Sequence, residues 1–311
     1  MTSKGSVAIV GAGLVGSGWA LVFARAGYSV RVFDPQSKIR DAFFPWVEES
    51  LVSLADQQLI QTKDEVIARL SVHETLAEAL DGVQYVQESV FETIESKTDV
   101  SLSIDALIGP DCYVGSSSSG IPASKFTEKC QNRERFLIAH PVNPPHLVPV
   151  VEIVPTPWTS AIATEHVSDL MLKVEQVPVR LTREIDGFVL NRLQGVLLNE
   201  AWALYQDGIA SIEDIDATIS QGLGLRWSFM GPFETIDLNA PGGIEDYAER
   251  LRGLYAGMVR QPPPEQWPDA VIDKATKERR SKLPLDALPK RRAWRDDILC
   301  RLAAFKKTLG H

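Results

Sequence analysis

No stretch of this 311-residue chain approaches 18 consecutive apolar residues, so no segment is expected to cross a membrane as a helix. Cysteine is scarce. Cys112, Cys130 and Cys300 make neither a CxxC pair nor an even set, which argues against a disulfide framework. A surplus of positive charge is also missing: 32 Lys and Arg against 41 Asp and Glu leave a net charge of −9, a poor match for nucleic-acid binding. The opening MTSKGSVAIV enters a strand-like run with no signal-peptide architecture. Together with the free thiols, this leads us to expect a cytoplasmic protein. No internal repeat or low-complexity segment is present.

What remains is an ordinary globular composition, 44% hydrophobic and 23% charged, in a chain long enough for two domains. The charge is uneven. Residues 187–311 hold 17 basic and 17 acidic side chains, so the first 186 carry the whole acidic excess. Lys and Arg cluster between 274 and 295, which reads as a solvated helix face or a subunit contact, or else as an anion site.

The order of elements is legible from periodicity. SVAIV is a short β-branched run, GAGLVG follows it, and SGWALVFARAG has helical spacing that stops at Gly27; YSVRVFD is a second strand. This is a βαβ unit. Residues 37–70 read as two amphipathic helices. VQYVQESV, CYVGSSSS, RFLIAH, VVEIVP and VPVRLT supply further strands, with a helix over ETIESKTDVSLSIDALI. Strands alternating with helices predict an α/β fold with a doubly wound, mostly parallel sheet of Rossmann type over residues 1–186. From GFVLNRLQGVLLNEAWALYQDG onward only helical periodicity is left, predicting an all-helical domain over 187–311, with PPPEQWP at 262–268 as a loop.

The motif GAGLVG places Gly11, Gly13 and Gly16 between a strand and a helix, with Asp34 about 20 residues further on at the end of the next strand. Gly11 makes the tight turn, Gly13 admits backbone to a pyrophosphate, and Gly16 lets helix pack on strand. Leu14 and Val15 complete the loop that faces the phosphates at the helix N-terminus. Asp34 suits a ribose 2′-hydroxyl and repels a 2′-phosphate, so NAD is expected rather than NADP. FAD shares the fingerprint, but no other segment suggests a flavin. No metal is called for.

A second site is suggested by LIAHPVNPPHLVPVVEIVP. His140 ends an apolar run at the carboxyl edge of the sheet, where ligands bind in open α/β folds. Glu152 stands twelve positions on inside VVEIV, and a carboxylate there is costly to bury unpaired. The four prolines between them force a sharp turn, so a histidine–carboxylate pair is geometrically accessible. Such a pair fixes the imidazole tautomer and suits a general base that removes a hydroxyl proton during hydride transfer to NAD. His146, among the prolines, is a rival base, and a histidine satisfied within the core is the bland alternative for His140.

The ordered motifs GAGLVG, SSSSG, AHPVNPP, VEIV, DGFVLNR and MGPFE resemble the L-3-hydroxyacyl-CoA dehydrogenase superfamily over nearly the whole chain. HPVNPP, GFVLNRLQ, EAWAL, GLGLRW and RRAWRDDILCRL are most similar to its λ-crystallin / L-gulonate 3-dehydrogenase branch. The resemblance implies that His140 is the general base, Glu152 its orienting carboxylate, and Ser119 and Asn191 the groups that hold the substrate oxygen. It also implies that Glu92, Lys97 and Asn143 lie near the cofactor and that the protein is a homodimer. Read without the family, Ser116–Ser119 is a loop in which any serine could cap a helix. Ser117 is therefore kept as a rival to Ser119 and as a cofactor-site candidate.

Two departures bear on substrate. Acyl-CoA members generally have aromatic residues where this chain has Pro141 and Val142, and tyrosine and proline where it has Arg226 and Trp227. Arg226 could bind a substrate carboxylate bidentately; the alternative is a surface arginine stacked on Trp227. Residues 37–70 carry six acidic and four basic side chains, a poor match for the phosphates of CoA. The expected reaction is therefore NAD-dependent oxidation of the C3 hydroxyl of a small hydroxy acid, with L-gulonate first. Carnitine, 3-hydroxybutyryl-CoA, and a non-enzymatic NAD-binding crystallin role are the alternatives.

Overall fold

A computed structural model of the chain describes residues 4–60, 62–258 and 267–310. Most of the expected PPPEQWP loop, residues 262–266, lies outside the described residues. The chain divides into two compact units, one of residues 4–192 with 293–310 and one of residues 193–292.

The first unit is built on eight strands: β1 (Ser6–Val10), β2 (Ser29–Phe33), β3 (Leu70–His73), β4 (Tyr85–Glu88), β5 (Tyr113–Ser116), β6 (Phe136–Pro141), β7 (Val150–Pro155) and β8 (Val177–Arg180). They form one sheet in the order β3-β2-β1-β4-β5-β6-β7-β8. Its helices are α1 (Leu14–Arg25), α2 (Ser37–Asp56), α3 (Lys63–Ile67), α4 (Leu76–Leu80), α5 (Ile94–Asp105), α6 (Ser124–Thr127), α7 (Ala161–Lys173) and the first turn of α8 (Leu190–Gln206). The order reverses at β1, whose neighbours β2 and β4 are both parallel to it. This is the doubly wound α/β arrangement expected from the sequence, with the crevice for a ligand at the carboxyl ends of β1 and β4. One side of the sheet is covered by α1, α2 and α7 over a cluster that includes Val7, Trp19, Phe23, Phe43, Tyr85 and Met171; Val86, Ile104 and Phe136 belong to a separate cluster.

One pairing departs from parallel. β7 runs antiparallel to β6, and β8 follows β7. Residues 142–149 are too few for a crossover helix, so the chain can only return as a hairpin. The short edge strand β3 escapes a reading by periodicity because four residues, two of them Ser71 and His73, give no run of apolar side chains.

The second unit is helical, with α9 (Ile212–Ala217), a π-helical stretch over Thr218–Leu223, α10 (Gly224–Trp227), α11 (Pro232–Leu238), α12 (Gly243–Gly257) and α13 (Asp269–Lys282). The last helix, α14 (Leu288–Thr308), begins in the second unit and ends in the first. The expected division assigned all of 187–311 to a helical domain. The described units differ because Cys300 is buried in the main cluster of the first unit and Leu299 packs against it.

Candidate active site

The glycine loop joins β1 to α1. Gly11 has φ +97°, a left-handed conformation that L side chains rarely adopt. A Cβ on Gly16 would collide with the Gly11 carbonyl oxygen, so the helix can pack this close only with glycine there. At Gly13 a Cβ would meet nothing within 4 Å, which leaves open space where a ligand's phosphates could approach backbone. Gly13 is also the N-cap of α1 and supplies no side-chain cap, so the helix begins without a protein side chain on its first N–H groups. Leu14 is exposed at this end, and Val15 packs against the core. Asp34 Oδ2 accepts the Ala12 N–H and Oδ1 accepts the Gln36 N–H, each at 2.9 Å. These residues fit a dinucleotide: Gly11–Gly16 would hold the pyrophosphate and Asp34 a ribose.

The second group forms at the β6–β7 pairing. His140 and Glu152 are direct partners in the antiparallel register, so their side chains share one face of the sheet. His140 Nδ1 lies 2.8 Å from Glu152 Oε2. An ionised carboxylate only accepts, so Nδ1 carries a hydrogen, and in the neutral ring Nε2 then keeps the free lone pair. The other carboxylate oxygen, Oε1, accepts the backbone N–H groups of Val189 at 2.8 Å and Leu190 at 2.9 Å, at the start of α8. Burial works to raise the Glu152 carboxyl, but the His140 bond and the two backbone donors outweigh it and hold the group below the usual range. With 2% of its surface exposed, Glu152 is a buried charge satisfied on both oxygens.

The serine turn lies beside this pair. Ser116 at the end of β5 is level with Ile138 on β6, so Ser117–Gly120 continue past the sheet edge toward the level of His140. Ser117 is half-buried, its hydroxyl held by Gln87 Nε2 and Ser89 Oγ, each at 2.8 Å. Ser119 is exposed instead, and its carbonyl oxygen accepts the amide of Asn191. The structure thus brings Ser119 and Asn191 together across 72 positions of sequence. Glu92 Oε1 gathers the same turn, accepting Ser118 Oγ and Ser119 N–H at 2.8 Å, Gly120 N–H at 3.2 Å and Ser119 Oγ at 3.3 Å. Burial acts to raise Glu92, while the Ser118 hydroxyl, Lys97 and the backbone donors bring it below the usual range.

Lys97 is not on the surface. It is 1% exposed, its ammonium 3.1 Å from the buried carboxylate of Glu88 and 3.5 Å from Glu92. It supports the carboxylate that clasps the serine turn. Asn143 is exposed in the proline-rich hairpin. His146 is buried against Trp46, and burial pushes its imidazole down to about 4. Of the two candidate bases, His140 is the one carried on a strand, near the carboxyl end of β6. Arg226, with Trp227, lies exposed on α10 in the second unit, directly after the π-helical stretch.

Sequence reasoning missed Glu88, which accepts the Ser116 hydroxyl and the Val90 N–H and pairs with Lys97. Its signal was present: like Glu152 it is a lone carboxylate on a buried strand, here at the strand's end. Two cavities of about 380 and 360 Å³ open elsewhere, and neither is lined by His140, Glu152, Ser119 or Asn191.

Residues 6–185 match the family described as 3-hydroxyacyl-CoA dehydrogenase, NAD binding domain, and residues 187–283 match 3-hydroxyacyl-CoA dehydrogenase, C-terminal domain. Lambda-crystallin of Oryctolagus cuniculus is 36% identical over 315 residues, covering 99% of this chain and 98% of that protein. An L-carnitine dehydrogenase/betainyl-CoA thioesterase of Ruegeria pomeroyi is 37% identical over 234 residues, covering 74% of this chain and 47% of that longer protein. Among solved structures, 5-formyl-3-hydroxy-2-methylpyridine 4-carboxylic acid 5-dehydrogenase, an NAD-dependent dismutase, superposes with a TM-score of 0.82 at 26% identity, covering 98% of each chain. The glycine loop, the Asp34 carboxylate and these matches agree on NAD as cofactor and on oxidation of a hydroxyl group as the reaction. The chain belongs to the 3-hydroxyacyl-CoA dehydrogenase family.

Proposed function

We propose that this protein oxidises the C3 hydroxyl of a small free hydroxy acid, with L-gulonate as leading substrate, and that His140 is its general base. The observation that carries the reading is the 2.8 Å contact between His140 Nδ1 and Glu152, which commits one ring nitrogen to the carboxylate and frees Nε2. Bound NAD supplies the hydride acceptor. His140 Nε2 takes the hydroxyl proton as the carbon–hydrogen bond breaks, and the substrate becomes a ketone. Glu152 fixes the ring tautomer and balances the imidazolium that forms. Ser119 and Asn191, already joined, hold the substrate oxygen, and Glu92 keeps the serine turn in place.

A free acid is favoured over a CoA ester by Pro141 and Val142 after the base and by the acidic excess over residues 37–70. The structural neighbour covering 98% of the chain is named for a carboxylic acid, and the first activity in the Ruegeria pomeroyi relative's name is L-carnitine dehydrogenase. Arg226 is the proposed partner of the substrate carboxylate. The protein acts as a homodimer on this reading, because Val196, Ile209, Phe233 and Leu238 of the helical unit are each more than two-thirds exposed. A cytoplasmic setting suits its three free, buried thiols.

Initial rates with NAD and L-gulonate, L-carnitine or 3-hydroxybutyryl-CoA test the substrate. A higher kcat/KM for the CoA ester replaces the free-acid reading with acyl-CoA oxidation. Tight NAD binding without turnover of any of the three favours a crystallin-like structural role, which the lambda-crystallin relative makes the next reading. His140→Gln should lower kcat by about 100-fold or more with little change in NAD affinity. Normal turnover in that variant removes His140 from the mechanism.

A further inference from the structure

Phe188 occupies an unusual place. Four non-glycine residues among those described have positive φ, and Phe188, at +51°, is fully buried. A bulky side chain resists the left-handed region, and strain of this kind persists only where the surroundings over-determine it. Gly187 before it is also left-handed, at +73°. After these two residues the next two N–H groups, of Val189 and Leu190, both meet Glu152 Oε1.

The ring of the same residue reaches the other half of the pair. Ile138 faces Val154 and His140 faces Glu152 in the β6–β7 register, so all four side chains share one sheet face. Phe188 packs in a cluster with Ala123, Phe126, Ile138 and Val154, and its ring centroid lies 5.7 Å from that of His140, tilted by 54°. A core-filling residue needs neither the strained backbone nor this placement. Phe188 has both, the backbone serving Glu152 and the ring bearing on His140.

We propose that Phe188 is a positioning residue for the dyad: its left-handed backbone aims two N–H donors at Glu152 while its ring holds the His140 imidazole in plane for proton transfer. The proposal rests on the reading of His140 as the base. It predicts that function depends on Phe188 beyond its share of the core.

Phe188→Leu keeps apolar bulk at the position and loses the ring. It should lower kcat by about tenfold or more, with NAD affinity within about threefold, since a small misplacement of a catalytic group is enough. The acid limb of its kcat/KM profile should shift, because the His140 imidazole loses the ring packed 5.7 Å from it and its bond to Glu152 is no longer held in register. Met171→Ala, a buried change in the main core cluster, serves as the core-destabilising control. It should lower the melting temperature and leave kcat and the acid limb unchanged. Equal losses in the two variants overturn the proposal, as does an unchanged kcat and acid limb in Phe188→Leu. Phe188→Gly should melt at or above Phe188→Ala, because glycine accepts φ +51°; the reverse order removes the strained turn from the argument. If His140→Gln retains turnover, the base reading fails, and the positioning claim is then decided by the NMR titration of His140. A curve identical in wild type and Phe188→Leu refutes it, and a displaced one sustains it.

Discussion

Asp34 Oδ2 accepts the Ala12 N–H at 2.9 Å, tying the end of β2 to the middle of the glycine loop. Both of its oxygens are engaged by backbone, so the side chain shapes the loop as well as being the proposed partner of a ribose. Asp34→Ser removes the negative charge that opposes a 2′-phosphate and slackens the loop. The ratio of kcat/KM for NAD over NADP should fall by about tenfold, with a drop in NAD affinity itself. An unchanged ratio contradicts the assignment.

The glycines of the loop should separate stability from binding. Gly16→Ala drives a methyl group into the Gly11 carbonyl, so its melting temperature should fall by several degrees, as for a misfit of about 1–3 kcal/mol. Gly13→Ala meets open space and should melt like wild type, yet lose NAD affinity by about tenfold because the methyl occupies the approach to the phosphates. Calorimetry beside a fluorescence titration of NAD reads both.

Acid should destabilise the protein through Glu152 and Glu92. Their carboxyls are held below the ordinary value of 4.5 by hydrogen bonds that exist only in the folded chain. The unfolded chain therefore takes up these protons at higher pH, and the stability they confer is present above about pH 4.5 and lost as pH falls through the folded values. Glu152→Gln should flatten the decline in melting temperature below pH 4.5 relative to wild type. A decline of equal slope in the variant would show that other carboxylates carry the effect.

Thiol reagents should leave activity intact. Burial pushes Cys112 and Cys130 up to about 12 and Cys300 to about 11, so the reactive thiolate is scarce at neutral pH. Incubation with iodoacetamide at pH 7 should label less than one thiol per folded chain and preserve turnover. Rapid stoichiometric labelling would contradict the burial.

Much of this was legible in the sequence for stereochemical reasons. Gly11 and Gly16 announce themselves because no other residue satisfies the φ and the close approach found there. Glu152 announced itself because a lone carboxylate in VVEIV needs a partner, and a proline-rich turn put one within reach. Lys97 was harder to place: lysine is rarely buried, and only the carboxylates of Glu88 and Glu92 make its burial tolerable. The return of the last helix to the first unit was illegible for a related reason. Its sequence is charged on most faces, and a few side chains such as Leu299 and Cys300 carry the packing. Phe188 gave no signal at all, because a phenylalanine in an apolar motif reads as core whatever its backbone does.

The hairpin between β6 and β7 also bears on how the acid–base pair is made. A short tether between two groups raises the concentration each sees of the other, and here the tether is twelve positions long and stiffened by prolines. Histidine and carboxylate are thus neighbours as soon as these two strands zip together, independently of the helical unit. Only the second oxygen of Glu152 waits for a distant segment, the turn before Asn191. The pair is inherited as one continuous piece of chain, while its fine adjustment arrives from outside that piece.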